Sequence, residues 1–157
     1  GPMYLRFGRL AVPVFNDESS YRFELGKGVV LREGSDATIV ATGLMVYEAL
    51  KAHDLLKAQG IHACVVNIHT IKPLDKELIC RCAAETGVLV TVEEHNIIGG
   101  LGEAVCSAVC AERPVPVVKI GVEDRFGYSG PAAVLLEKFG LCAENIVEKV
   151  KAAVSLK

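Results

Sequence analysis

From residue 28 onward the chain alternates short β-branched runs with amphipathic segments of helical spacing, and few folds accommodate that rhythm. Residues 28–31 form a first short strand, followed by the turn Arg32-Glu33-Gly34-Ser35-Asp36 and a second strand at 38–41. So short a connection predicts a hairpin, and hence an antiparallel first strand. Residues 44–59 space Leu44, Ala49, Leu50, Leu55 and Leu56 as one helical face, with Gly60 as the stop. Residues 61–68 read as a strand. Pro73 breaks the chain, and Asp75 is placed as the N-cap of a helix that buries Leu78, Ile79 and Cys82 and ends at Gly87.

Residues 88–92 are continuously apolar, as in a strand covered on both faces. Residues 99–111 read as a glycine loop entering a helix, and 115–120 as a fifth strand. Pro131 fits the first turn of a helix closed by Gly140, and residues 144–154 form a last amphipathic helix. Strand–helix–strand repeats impose parallel neighbours, right-handed crossovers and helices on both faces. The expected fold is therefore α/β: three layers, α/β/α, around a five-stranded mixed sheet whose first strand is antiparallel. Residues 8–27 carry Gly8, Pro13, Asn16, Asp17, Ser19, Ser20 and Gly26, which punctuate rather than propagate structure, so 1–27 reads as the end of a preceding domain plus a linker arm. Residues 28–157 are the domain proper.

With 157 residues, 51% of them hydrophobic, one substantial core is available. The formal charge of −2 supplies no basic field for nucleic acid or an anionic membrane. No apolar stretch approaches the roughly 20 residues that span a bilayer, and the start of the chain lacks a secretory pattern, so the expected location is cytoplasmic. The six cysteines (64, 80, 82, 106, 110 and 142) form no C-x-x-C. Cys106 and Cys110 share a helical face, but buried reduced thiols are preferred to a zinc site, and no metal site is expected.

Ligands of open α/β sheets gather at the carboxyl ends of the strands. There the sequence places Thr42-Gly43, then His69-Thr70, then Glu93-Glu94-His95-Asn96, then Glu123-Asp124-Arg125. Gly99, Gly100 and Gly102 open a helix whose amides could hold an anion, or simply allow a tight turn. Glu93 beside His95 suits either an acid–base pair or a structural hydrogen bond, and the structural reading is preferred. There is no nucleophile elbow, zinc-protease motif or phosphate-binding loop. Nor is there the Gly-Asp-Gly pattern with paired Asn that holds thiamine diphosphate through a metal.

Several segments, in order and over nearly the whole chain, resemble the C-terminal domain of transketolases. They are the opening residues 1–9, Ala41-Thr42-Gly43, Thr70-Ile71-Lys72-Pro73-Leu74-Asp75 and Thr91-Val92-Glu93-Glu94-His95. The series continues with Gly99-Gly100-Leu101-Gly102-Glu103-Ala104-Val105, Arg125-Phe126-Gly127-Tyr128-Ser129-Gly130 and Phe139-Gly140-Leu141. Deoxyxylulose-phosphate synthases and the beta subunits of 2-oxo-acid dehydrogenases share this domain with looser matches. The resemblance implies a transferase of the pentose phosphate pathway type. Its thiamine diphosphate and Mg2+ would be held by an N-terminal half, on the same or a separate polypeptide, and not by this domain. It implies a homodimer acting on sugar phosphates, with this chain supporting the dimer, positioning substrate and having no catalytic residue of its own.

The resemblance also places Arg9 where the arm arginine of transketolases contacts the sugar phosphate, with Arg6 as second choice. An arginine fork offers phosphate two parallel donors. His69 stands where the synthases carry a phosphate-binding arginine, and its role stays open. A module outside this family, binding a nucleotide or anion at the glycine loop, is the contrasting expectation.

Overall fold

The computed structural model describes residues 1–8 and 11–157. Strands β1 (Val29–Arg32), β2 (Ala37–Ala41), β3 (Ala63–Asn67), β4 (Leu89–Asn96) and β5 (Val117–Val122) form one sheet in the order β1-β3-β2-β4-β5. Helices α1 (Met45–Lys57) and α5 (Ala143–Val154) cover one face, and α2 (Lys76–Thr86) and α3 (Leu101–Glu112) the other; the short α4 (Ala132–Lys138) follows β5.

Strand alternation sorts the core between the two faces. Ala37, Ile39 and Ala41 of β2, with Val65 and Val90, pack under α1 and α5 against Met45, Ala49, Ile146 and Val150. Val40, Cys64, Val66 and Leu89 point the other way, onto Ile79, Cys82, Leu101 and Val105. The three-layer mixed architecture matches the sequence expectation, and β1 is the antiparallel strand.

The hairpin is corrected. β1 pairs antiparallel with β3, not with β2, and β2 lies parallel between β3 and β4. The chain leaves β1, crosses the start of β3 and enters the sheet on its far side. Two bonds latch that crossing: the Asp36 amide donates to His62 O at 2.9 Å, and the His62 amide to the Asp36 carboxylate at 2.6 Å. Gly34 makes the crossing possible, since a Cβ there would overlap the Ala63–Cys64 backbone. A five-residue turn (32–36) looks like a hairpin connection because its length carries no information about which strand lies beneath it.

Other differences are at boundaries. β4 runs four strand positions further than its apolar stretch, through Glu93, Glu94, His95 and Asn96, because it keeps a partner in β5 out to Asn96↔Val122. Pro131 caps α4 from an extended conformation rather than sitting inside its first turn. Asp75 and Gly87 bound α2 as expected: the Asp75 side chain accepts from the Leu78 amide, and Gly87 adopts φ 71°.

Before Val29 the described residues form no helix or strand. The arm nevertheless touches the domain: Phe15 packs on the α1/α5 core, Gly26 lies against Pro73, and the Gly28 amide donates to Asp75 Oδ2 at 3.0 Å.

Candidate functional site

The polar edge anticipated at the strands' carboxyl ends is real, and β2 and β4 form its centre. β2 delivers Thr42 and Gly43 into α1 on one face. β4 delivers Glu93, Glu94 and His95 into the loop that leads to α3 on the other face. Between the two diverging loops lies a crevice of about 260 Å³ lined by Thr42, Gly43, Ile71, Glu94, His95 and Gly100, among others.

Strand alternation turns Glu93 toward α3 and Glu94 away from it. Glu93 is 1% exposed, and both its oxygens are engaged. Oε2 accepts from the Leu101 amide at 2.7 Å, and Oε1 from the Gly102 amide at 2.8 Å. A carboxylate thus sits on the N-terminus of α3, where the unpaired amides and the helix dipole favour negative charge. Gly100 allows this, because a Cβ there would collide with Glu93 Oε2. The Gly99 amide is also taken, by Glu103 Oε2 at 2.9 Å. The loop of Gly99, Gly100 and Gly102, which the sequence left open between an anion cradle and a tight turn, turns three of its amides onto the protein's own carboxylates. An external anion seated on these three amides would have to displace two carboxylates.

His95 is exposed. Its Nδ1 lies 2.7 Å from the Asn96 carbonyl oxygen and 3.9 Å from Glu93 Oε2. A carbonyl oxygen only accepts, so Nδ1 carries the proton and, in the neutral ring, Nε2 presents its lone pair.

His69, at the end of β3, is half-buried. Its Nδ1 meets Thr70 Oγ1 at 2.8 Å, and its ring stands 4.7 Å from that of Phe23 in the arm. Its Nε2 is enclosed and has no partner among the described residues. Among the described residues of the arm, it is the ring of Phe23 that lies against His69. Arg6 is exposed in the segment that precedes the domain, and Arg9 lies outside the described residues. Past β5, Arg125 stacks on Phe139 at 4.9 Å and Lys138 on Tyr128 at 3.9 Å, pinning that loop to α4.

Among the described residues no three His, Cys, Asp or Glu side chains gather as a metal cage. The buried carboxylate nearest the crevice, Glu93, is committed to amides, so these residues do not fit a metal-bound diphosphate. No helix among them is long and apolar enough to cross a membrane. On the α2/α3 face, Cys64 is pushed up by its hydrogen bond with Cys82 and then by burial, and the same contact lowers Cys82, which is itself buried; burial raises Cys80 and Cys106.

Sequence reasoning did not assign Glu93 to the α3 terminus. The available signal was its strand parity: it shares the face of Leu89 and Thr91, beneath α3, with glycines at the helix start. Glu48 was missed in the same way. It reaches from α1 to accept from the Ala143 amide at 3.0 Å, at the start of α5.

Comparison with known proteins adds the context. The family model described as "Transketolase, C-terminal domain" matches residues 26–146. A 6-deoxy-6-sulfo-D-fructose transketolase subunit of Clostridium sp. (strain MSTE9) is 48% identical over 147 residues, covering 94% of this chain and 45% of that protein. A 1-deoxy-D-xylulose-5-phosphate synthase of Heliobacterium modesticaldum is 46% identical over 153 residues, 93% of this chain and 23% of that one. Among solved structures, one described as a split-gene transketolase, inactive beta4 tetramer, superposes with a TM-score of 0.89 at 50% identity, over 93% of this chain and 48% of its own. The chain thus spans about half the length, or less, of the proteins it matches.

Proposed function

The chain belongs to the transketolase C-terminal domain family, and from that premise we propose that it is the C-terminal part of a thiamine-diphosphate-dependent transketolase, inactive without the thiamine-binding half. What carries this reading is the agreement, over nearly the whole chain, with a split-gene transketolase at 50% identity and a TM-score of 0.89. The intact enzyme moves a two-carbon ketol unit between sugar phosphates in the cytoplasm as a homodimer. The N-terminal half, on the same or a separate polypeptide, holds thiamine diphosphate and Mg2+, which supply the nucleophile and electron sink.

This chain's contribution is dimer contact and substrate placement. Residues 1–27 are the arm from the preceding domain and 28–157 the docked domain. Arg9, seconded by Arg6, grips the sugar phosphate. His69 joins them only when Phe23 of the arm moves aside, since its Nε2 is otherwise enclosed.

The deoxyxylulose-phosphate synthase reading rests on the 46% identity to the Heliobacterium modesticaldum enzyme. His69 does not separate the two, since the resemblance implies an arginine there in synthases and an apolar residue in transketolases. Substrate separates the two: a transketolase takes a ketose phosphate donor, a synthase takes pyruvate.

The test is calorimetric titration with thiamine diphosphate and magnesium, on the chain alone and then with the thiamine-binding half. No heat alone, with binding and ketol transfer on reconstitution, is the expected result. Tight binding by the chain alone would sink the proposal. Arg9→Ala in the reconstituted enzyme should raise KM for phosphorylated sugars by about tenfold or more while leaving kcat nearly intact.

A further inference from the structure

The crevice between β2 and β4 sits where α1 and α3 leave for opposite faces of the sheet, the switch point at which open α/β sheets bind small molecules. A second cavity of about 590 Å³ adjoins it, between the 72–76 segment and the first turns of α3, and the two share Ile71, Gly99 and Gly100 as their dividing wall.

The two lobes differ in chemistry. The first offers mainly acceptors: the exposed Glu94 carboxylate, the lone pair on Nε2 of His95 and the Thr42 hydroxyl. The amides of Gly99, Leu101 and Gly102, which such a loop ordinarily presents to a phosphate, are turned onto Glu103 and Glu93. An acceptor-rich crevice selects a ligand that donates, and an ammonium with three N–H groups is the compact choice.

The second lobe is lined by Lys72 and Lys76, neither of which forms an ion pair among the described residues, with the Ser107 hydroxyl beside them. Its one carboxylate, Glu103, is held by the Gly99 amide. Two mobile ammonium groups and a hydroxyl suit a phosphate. Ile71 and Ala104 give the span between them an apolar wall.

We propose that this two-lobed cleft binds a small phosphate monoester bearing a primary amine, with the amine at Glu94 and His95 and the phosphate at Lys72 and Lys76. The cleft is built wholly from residues of the domain, and its test needs neither the thiamine-binding half nor the arm arginines, so it stands or falls independently of the function proposed above.

Amide NMR titration of the chain tests it with O-phosphoethanolamine and its two halves, ethanolamine and inorganic phosphate. O-phosphoethanolamine should move the amides of Thr42, Gly43, Gly100 and Lys76 together, with a Kd about tenfold or more below that of either half. Glu94→Gln should erase its advantage over phosphate, and Lys76→Gln its advantage over ethanolamine. Both side chains are exposed, so an unchanged Tm certifies the fold of each variant. No response at millimolar O-phosphoethanolamine, a response confined to amides elsewhere, or a Kd no better than that of the tighter half would overturn the proposal.

Discussion

Two helices on the same face of the sheet begin on a buried carboxylate, and they acquire it differently. Asp75 stands immediately before α2. One of its oxygens accepts from the Leu78 amide at 3.1 Å and the other from Gly28, 47 residues away. Glu93 stands on β4, and both its oxygens serve the first turn of α3 across the glycine loop. Asp75 is half a helix cap and half a clasp on the arm. Glu93 is wholly a cap, delivered from the sheet. The difference teaches that the two helix starts on this face are each fixed by negative charge whether or not a local capping residue exists, whereas α1, on the other face, starts at Leu44 with no side-chain cap. Where the loop lacks a side chain to do it, as at Gly100, the strand supplies one.

That comparison can be broken by removing each carboxylate in turn. Glu93→Ala should be the most damaging change, at about 3 kcal/mol, because it strands two amides in a dry site and leaves a void. Urea unfolding measures it, and a loss below about 1 kcal/mol would mean that water replaces the carboxylate.

Asp75→Ala should cost about 2 kcal/mol, within the usual range for a lost cap. Its signature is different: hydrogen exchange should rise at Gly28 as well as at Leu78. If only Leu78 responds, the clasp on the arm is not a working contact.

Glu48→Ala extends the comparison to the opposite face and should cost about 1 kcal/mol, since Glu48 is partly exposed and serves one α5 amide. The smallest effect concerns the thiols between α2 and the sheet. Timed alkylation of the native protein should modify exposed Cys110 first, with buried Cys64 and Cys82 reacting only on unfolding. Early loss of Cys64 would show that the α2 face opens far more readily than its caps suggest.

The same contrast explains what could be read from the sequence. Asp75, Gly87 and the apolar runs were legible because their signals are local: a cap acts three residues ahead, a stop acts in place, and burial on both faces marks the strand itself. Glu93 and Glu48 were not, because their partners are set by which elements come to lie side by side. The antiparallel sense of β1 was legible, but its partner was not, since the turn at 32–36 gives the distance to be crossed and not what lies beneath. At the site, the polar edge followed from strand ends alone. The direction of the glycine-loop amides required knowing that Glu93 faces α3, and Phe23 against His69 required the path of the arm.

The crossing over β3 also sets a schedule. During synthesis β1 leaves the ribosome first, yet the strand it will pair with is made only after β2 and α1. β2 likewise has no neighbour until β3 and then β4 arrive on its two sides. The first two strands therefore emerge as unpaired edges, and the sheet assembles around a centre that cannot close until the middle of the chain has been translated. A ribosome paused shortly before β3 would hold two apolar strands with nothing to bind but each other, in the hairpin that the finished protein avoids.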